Sequence, residues 1–124
     1  MLQTLSIAAG GATGALLRFW MSNGIHAWLG RGFPYGTIIV NIFGSLVMGI
    51  LYVLIVEKMA ISAEWRAALI VGLLGAFTTF SAFSLETIYL LESSEFSKAG
   101  LNIFLSVSLC ISACWLGMIL ARHT

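Results

Sequence analysis

Two ionisable side chains, Arg18 and Glu86, and one strongly polar amide, Asn41, sit inside stretches that are otherwise apolar. In hydrocarbon such groups are costly, so each must face protein or a water-filled path. Glu86 closes a polar half-span with Thr78, Ser81 and Ser84, and that company favours a pathway role. Arg18 lies within snorkelling reach of the loop that follows it, which makes it either an interface anchor or a vestibule group. Asn41 offers two amide donors, which suit an anion or a bridge between helices, and spacing alone leaves both open.

The run from Gly75 to Ser84 reads Gly-Ala-Phe-Thr-Thr-Phe-Ser-Ala-Phe-Ser. Glycine close to paired threonines favours a break in a helix, and carbonyls freed by a break at membrane depth can hold a small cation. Phe80 and Phe83 stand at i and i+3, on one face of the half-helix that follows. An aromatic ring has a positive edge, so two edges beside a narrow path can attract a small anion, although the same spacing describes ordinary packing residues. Further on, Asn102, Ser106 and Cys110 form one stripe, while Ser108 and Ser112 face nearly the opposite way. Isolated serines in membrane helices commonly bond their own backbone, so neither stripe is functional by pattern alone.

No enzyme is indicated. Aspartate is absent, His26 and His123 fall in a loop and at a terminus, and no nucleophile stands in a pattern with a base. Cys110 and Cys114 have a spacing that zinc could use but lack further ligands, so they read as small packing residues. The scattered Lys and Arg residues and a formal charge of +1 exclude a nucleic-acid surface.

Hydrophobic residues make up 60% of the 124 positions and charged residues 9%, with a mean hydropathy of +1.01. That balance belongs to a membrane protein. At roughly 20 residues per crossing, the chain accommodates four spans in one all-α transmembrane domain over residues 1–124. They are expected at 2–21, 36–56, 65–91 and 101–120, the third overlong and broken. The first has no cation ahead of Arg18 and reads as a retained helix rather than a signal; its Gly10 and Gly14 invite close backbone contact, as do Ser45 and Gly49 in the second. Residues 22–35, with Gly30, Gly32 and Pro34, are expected as a loop.

Cations in short loops normally stay cytoplasmic. Here Lys58, Arg66 and Arg122 on one side face Arg31 and Lys98 on the other, with Arg18 nearby. The near tie permits insertion in both orientations, and hence antiparallel pairing of two copies.

Three segments in this order resemble the Fluc (CrcB) family of fluoride channels: Gly10 to Phe19 in the first helix, Gly36-Thr37 followed by Asn41 and Gly44 in the second, and Gly75 to Ser84 in the third. The resemblance covers essentially the whole chain. It implies an antiparallel, dual-topology homodimer in the cell inner membrane, in contact with lipid, whose two pores let toxic cytoplasmic fluoride leak out passively. Phe80 and Phe83 would line the pores with their ring edges, Asn41 would donate to fluoride, and Thr37, Ser81, Ser84 and Glu86 would belong to the polar track. Gly75 and Thr78 would give backbone carbonyls to a structural sodium ion (Na+) between subunits. Ser106 is counted with the pathway, although this helix departs from the family, with Asn102 where some relatives carry tyrosine and Cys110 where serine is expected. The alternatives are a fluoride/proton antiporter with Glu86 as proton carrier, and a scaffold whose polar residues only bind helices together.

If the tied charges mean insertion both ways, single-site labelling of Lys98 should find it on both faces of the membrane. Labelling from one face only, in correctly folded protein, rules this out.

Overall fold

The computed structural model describes all 124 residues, and every regular element is helical. Helix α1 spans Leu2–Leu29 and α2 spans Tyr35–Lys58. Helix α3 covers residues 63–77, α4 Phe80–Glu92 and α5 Phe96–Arg122. Three stretches are long and apolar enough to cross a membrane: Tyr35–Lys58, Ala63–Glu92, which joins α3 and α4, and Phe96–Arg122. The protein is therefore a multi-pass membrane protein. Helix α1, diluted by Gln3, its glycines and Arg18, is not among the three, so the apolar signal alone does not make four spans.

Every helix is longer than its apolar pattern suggests. The loop expected from Ser22 to Tyr35 shrinks to residues 30–34, because nothing before Gly30 stops α1. Gly30 takes φ of 88° and returns its N–H to the carbonyl of His26 at 2.8 Å, a helix end that only glycine adopts without strain. Pro34 then sets the start of α2. Two stretches wind wider than an α-helix, with i→i+5 hydrogen bonds: Tyr52–Lys58 at the end of α2 and Ala67–Leu74 in α3. Sequence periodicity does not announce either.

The helices pack chiefly as two pairs, α1 with α3 and α2 with α5. Both seams are backbone on backbone. A Cβ at Gly10 or Gly14 would collide with the carbonyl oxygens of Ala68 and Leu73, and one at Gly72 would stand 2.7 Å from that of Ile7. In the other pair, Gly49 meets the carbonyl of Cys114 and Gly117 that of Leu46. Small residues here replace the hydrophobic effect, which contributes nothing between helices in lipid, with dispersion and Cα–H···O contacts. The far end of the second pair is latched by Arg122, which donates from Nη2 and Nε to the two oxygens of Glu57 at 2.8 and 3.2 Å.

The expected break falls at Thr78 and Thr79, whose φ/ψ of −85°/156° and −151°/114° are extended. Asn41 of α2 holds it from the side. Its Nδ2 donates to the carbonyl of Thr79 at 3.0 Å, and its Oδ1 accepts the Thr79 N–H at 2.8 Å. The Thr79 hydroxyl then caps α4 by accepting the Ala82 N–H at 3.1 Å.

The glycine seams predict that Gly14→Val lowers stability by about 1–3 kcal/mol or more, whereas Gly24→Ala, where an added Cβ meets nothing within 4 Å, is neutral or stabilising; thermal unfolding in detergent compares them. For the break, Asn41→Leu should release the Thr79 amide to fast hydrogen exchange, while Asn41→Asp, which keeps the acceptor, should leave it protected. Unchanged protection in Asn41→Leu would show that the clamp does not hold the break.

Candidate functional site

The clamp divides two hollows. One is a polar cleft of about 380 Å³ lined by Arg18, Ser22, Asn23, His26 and Arg31 with Thr37, Thr79 and Glu86. The other is a mostly apolar groove, also about 380 Å³, lined by Asn41, Ser45, Thr78, Thr79, Phe80, Phe83, Ser106 and Cys110 among others. Thr79 borders both.

Arg18 turns toward the break in the third span. It is half-buried, and its Nε donates to the carbonyl of Ala76 at 3.1 Å, which brings a guanidinium to the end of α3. That bond replaces the helical donor that Ala76 loses at the break. Two neighbouring carbonyls lose theirs differently. The Thr79 N–H that would serve Gly75 goes to Asn41, and the Ala82 N–H that would serve Thr78 goes to the Thr79 hydroxyl. Both carbonyls expected to hold sodium are thus acceptors deprived of their helical donors, which fits a small hard cation.

On the polar side, Thr37 donates through Oγ1 to Glu86 Oε2 at 3.0 Å. Glu86 Oε1 is buried without a partner. The pairing of Thr37 with Glu86 agrees with the polar track, but Ser81 and Ser84 do not join it. With 100° between successive residues on α4, Ser81 and Ser84 lie on another face from Glu86. Ser81 is exposed and within 3.3 Å of the Thr79 hydroxyl, while Ser84 donates back to the Phe80 carbonyl at 2.9 Å. Thr78 likewise bonds its own helix, at the Leu74 carbonyl. The polar half-span is therefore divided between faces.

Phe80 and Phe83 meet with ring centroids 5.2 Å apart and planes at 50°. They differ in burial, Phe83 being 8% exposed and Phe80 75%. Both border the groove, one as its wall and one as its rim. Asn41 spends one amide hydrogen and its oxygen on Thr79, leaving a single N–H for any ligand.

On α5 the stripe faces inward, with Asn102 and Ser106 buried and Cys110 partly so, while Ser108 is partly exposed and Ser112 exposed. Asn102 donates to the Thr87 hydroxyl at 3.0 Å, Thr87 donates to the Phe83 carbonyl at 2.8 Å, and Ser106 donates to Asn102 Oδ1 at 3.4 Å. Asn102 borders neither hollow and acts as a tie between α5 and α4; Ser106 and Cys110 reach the groove. Sequence reasoning missed Thr87 and Thr79 as partners and His26 as a buried residue. Thr79 was inside the motif, and the absence of any stop before Gly30 was the signal for His26.

Residues 5–118 match the family model described as CrcB-like protein, Camphor Resistance (CrcB). The chain is 55% identical over 122 residues to the fluoride-specific ion channel FluC of Methylococcus capsulatus, covering 98% of this chain and 54% of that protein. It is 46% identical to the protein of the same name from Magnetococcus marinus, covering 98% of each. A third, from Hydrogenovibrio crunogenus, is 48% identical over 118 residues, 95% of this chain and 89% of the relative. The chain thus spans about half the length of the Methylococcus protein and nearly all of the Magnetococcus one. With a family match that runs almost from end to end and a broken, asparagine-clamped third helix between two hollows, this chain belongs to the CrcB-like family.

Proposed function

We propose that this chain forms a fluoride-selective passive channel in the cell inner membrane that lets cytoplasmic fluoride leave. The ion comes from the names of the relatives, each a fluoride-specific ion channel. The observation that carries a channel reading is the pinned break, because backbone at membrane depth without a helical ladder is tolerated only where it is buried in protein or lines a cavity, and here it divides two hollows. No observation favours the antiporter alternative.

Helix α1 serves as the fourth span: at about 1.5 Å per residue its 28 residues reach well beyond a hydrocarbon core of about 30 Å. Two chains pair antiparallel. Gly75, Phe80 and Ser81 lie on outward surface around the break, and a second copy covers surface that a lone chain would leave to lipid. The carbonyls of Gly75 and Thr78 hold a structural sodium ion at this junction, for which the diversion of their helical donors to Asn41 and Thr79 is the support.

Fluoride is small and strongly hydrated, so a pore must replace lost water contacts yet release the ion. Phe83 and Phe80 offer positive ring edges, and Asn41 one remaining N–H. Thr37, Glu86 and Ser106 supply polar contacts along the way. Arg18 gives the vestibule its attraction for anions.

In proteoliposomes containing only this protein, fluoride should flow out without a proton gradient. A strict requirement for counter-transport would replace the channel with an exchanger. Phe80→Ile or Phe83→Ile keeps apolar bulk but removes the quadrupole, so flux should fall roughly tenfold while the pair still assembles. If both variants fold and conduct at the parent rate, ring edges do not carry the ion.

A further inference from the structure

His26 lies in the last turn of α1 and is 7% exposed. Its Nδ1 is 3.1 Å from the carbonyl oxygen of Gly30. A carbonyl only accepts, so Nδ1 carries the hydrogen and the neutral ring keeps its lone pair on Nε2. That nitrogen lies against α2 at Gly36, where an added Cβ would stand 2.6 Å from it. The glycine is what leaves the ring its place. The next residue, Thr37, holds Glu86 by Oε2, while Oε1 of the same carboxylate is buried with no partner. His26 and Glu86 line the polar cleft with Arg18 and Arg31, and they line a second, more peripheral cleft with Arg31, Tyr89, Glu95 and Lys98.

We propose that His26 is a further residue of the anion path, whose protonation sets the charge of the cleft through which the ion passes. The assignment rests on the channel reading above. Taking a proton from cleft water onto Nε2 turns that atom from an acceptor into a cationic donor, on the wall shared with the unpartnered Glu86 oxygen. Counted formally, Arg18 and Arg31 against Glu86 leave the inner cleft at +1 with neutral His26 and +2 with the ring protonated. In the peripheral cleft, Arg31 and Lys98 balance Glu86 and Glu95, so the ring decides whether that mouth is neutral or positive. An anion therefore meets a more attractive entrance when the ring is protonated.

The test is fluoride efflux from proteoliposomes of the full chain at equal free fluoride, with the leak of protein-free liposomes subtracted. Efflux should rise about fivefold between about pH 8 and about pH 5.5, the factor one added charge gives at close range in water. His26→Gln should give a flat profile at the alkaline rate, and His26→Arg a flat profile at the acid rate. His123→Gln, which removes the other histidine, should keep the slope. A flat but measurable parent profile, or a His26→Gln protein that keeps the parent slope, overturns the role of His26. If His26→Gln does not fold, the parent profile decides. Efflux absent at every pH overturns the channel reading instead, and the role of His26 with it.

Discussion

Everything about the centre of this molecule depends on the demand that backbone polar groups be satisfied where no water is available. A helix interrupted at Thr78 and Thr79 loses several hydrogen bonds at once, and in hydrocarbon each unsatisfied group costs several kcal/mol. Asn41 meets that demand with a planar carboxamide, which donates and accepts at once and closes a two-point contact on a single residue. The Thr79 hydroxyl supplies the cap that starts α4, and Arg18 covers the carbonyl of Ala76. Remove these three and the break has no reason to persist, because a continuous helix would satisfy the same groups. The interruption is thus bought by α1 and α2, not by the helix that contains it.

The glycine seams serve the same end by bringing those helices near enough. Arg18 can reach Ala76 only because Gly14, one turn before it, lies against the backbone of Leu73 in α3. Asn41 reaches Thr79 because Gly44, three residues on, leaves room for Thr78 and Phe77. In each case a small residue and a polar residue lie about one turn apart on one helix face. The pairing of a close contact with a reaching side chain explains why Gly10 to Arg18 and Gly36 to Gly44 carry so much of the resemblance to known channels.

Much of this was readable from the chain itself. Glycine close to paired threonines marks the break because both favour an interruption of the helix, and the structure places it at Thr78 and Thr79. Asn41 was visible as a costly group, but its partner was not, since a hydrogen bond to a backbone atom leaves no trace in composition. The serines misled because residue type says nothing about face: Ser81 and Ser84 share a segment with Glu86 yet lie on another face of the helix. The loop after α1 was overdrawn because its polar residues were read as connector, while the helix continues until glycine permits the left-handed turn at Gly30. Asn102 stands in the sequence only as a departure from the family, and its contacts with Thr87 and Ser106 show a tie between helices.

The two wide-wound stretches bear on how such a chain can change in length. Each turn of i→i+5 winding holds one residue more than an α-turn; the first stretch ends at the short connector between α2 and α3, and the second begins one α-helical turn, Ala63–Arg66, beyond it. Deleting one residue within Tyr52–Lys58 returns that turn to i→i+4 bonding without moving either end of the helix far. Length variation between homologues can therefore be absorbed inside α2 and α3, away from Asn41 and Thr79, rather than in a loop. A gap drawn in the connector of an alignment would then misplace the register of the end of α2, and with it Glu57, the partner of Arg122.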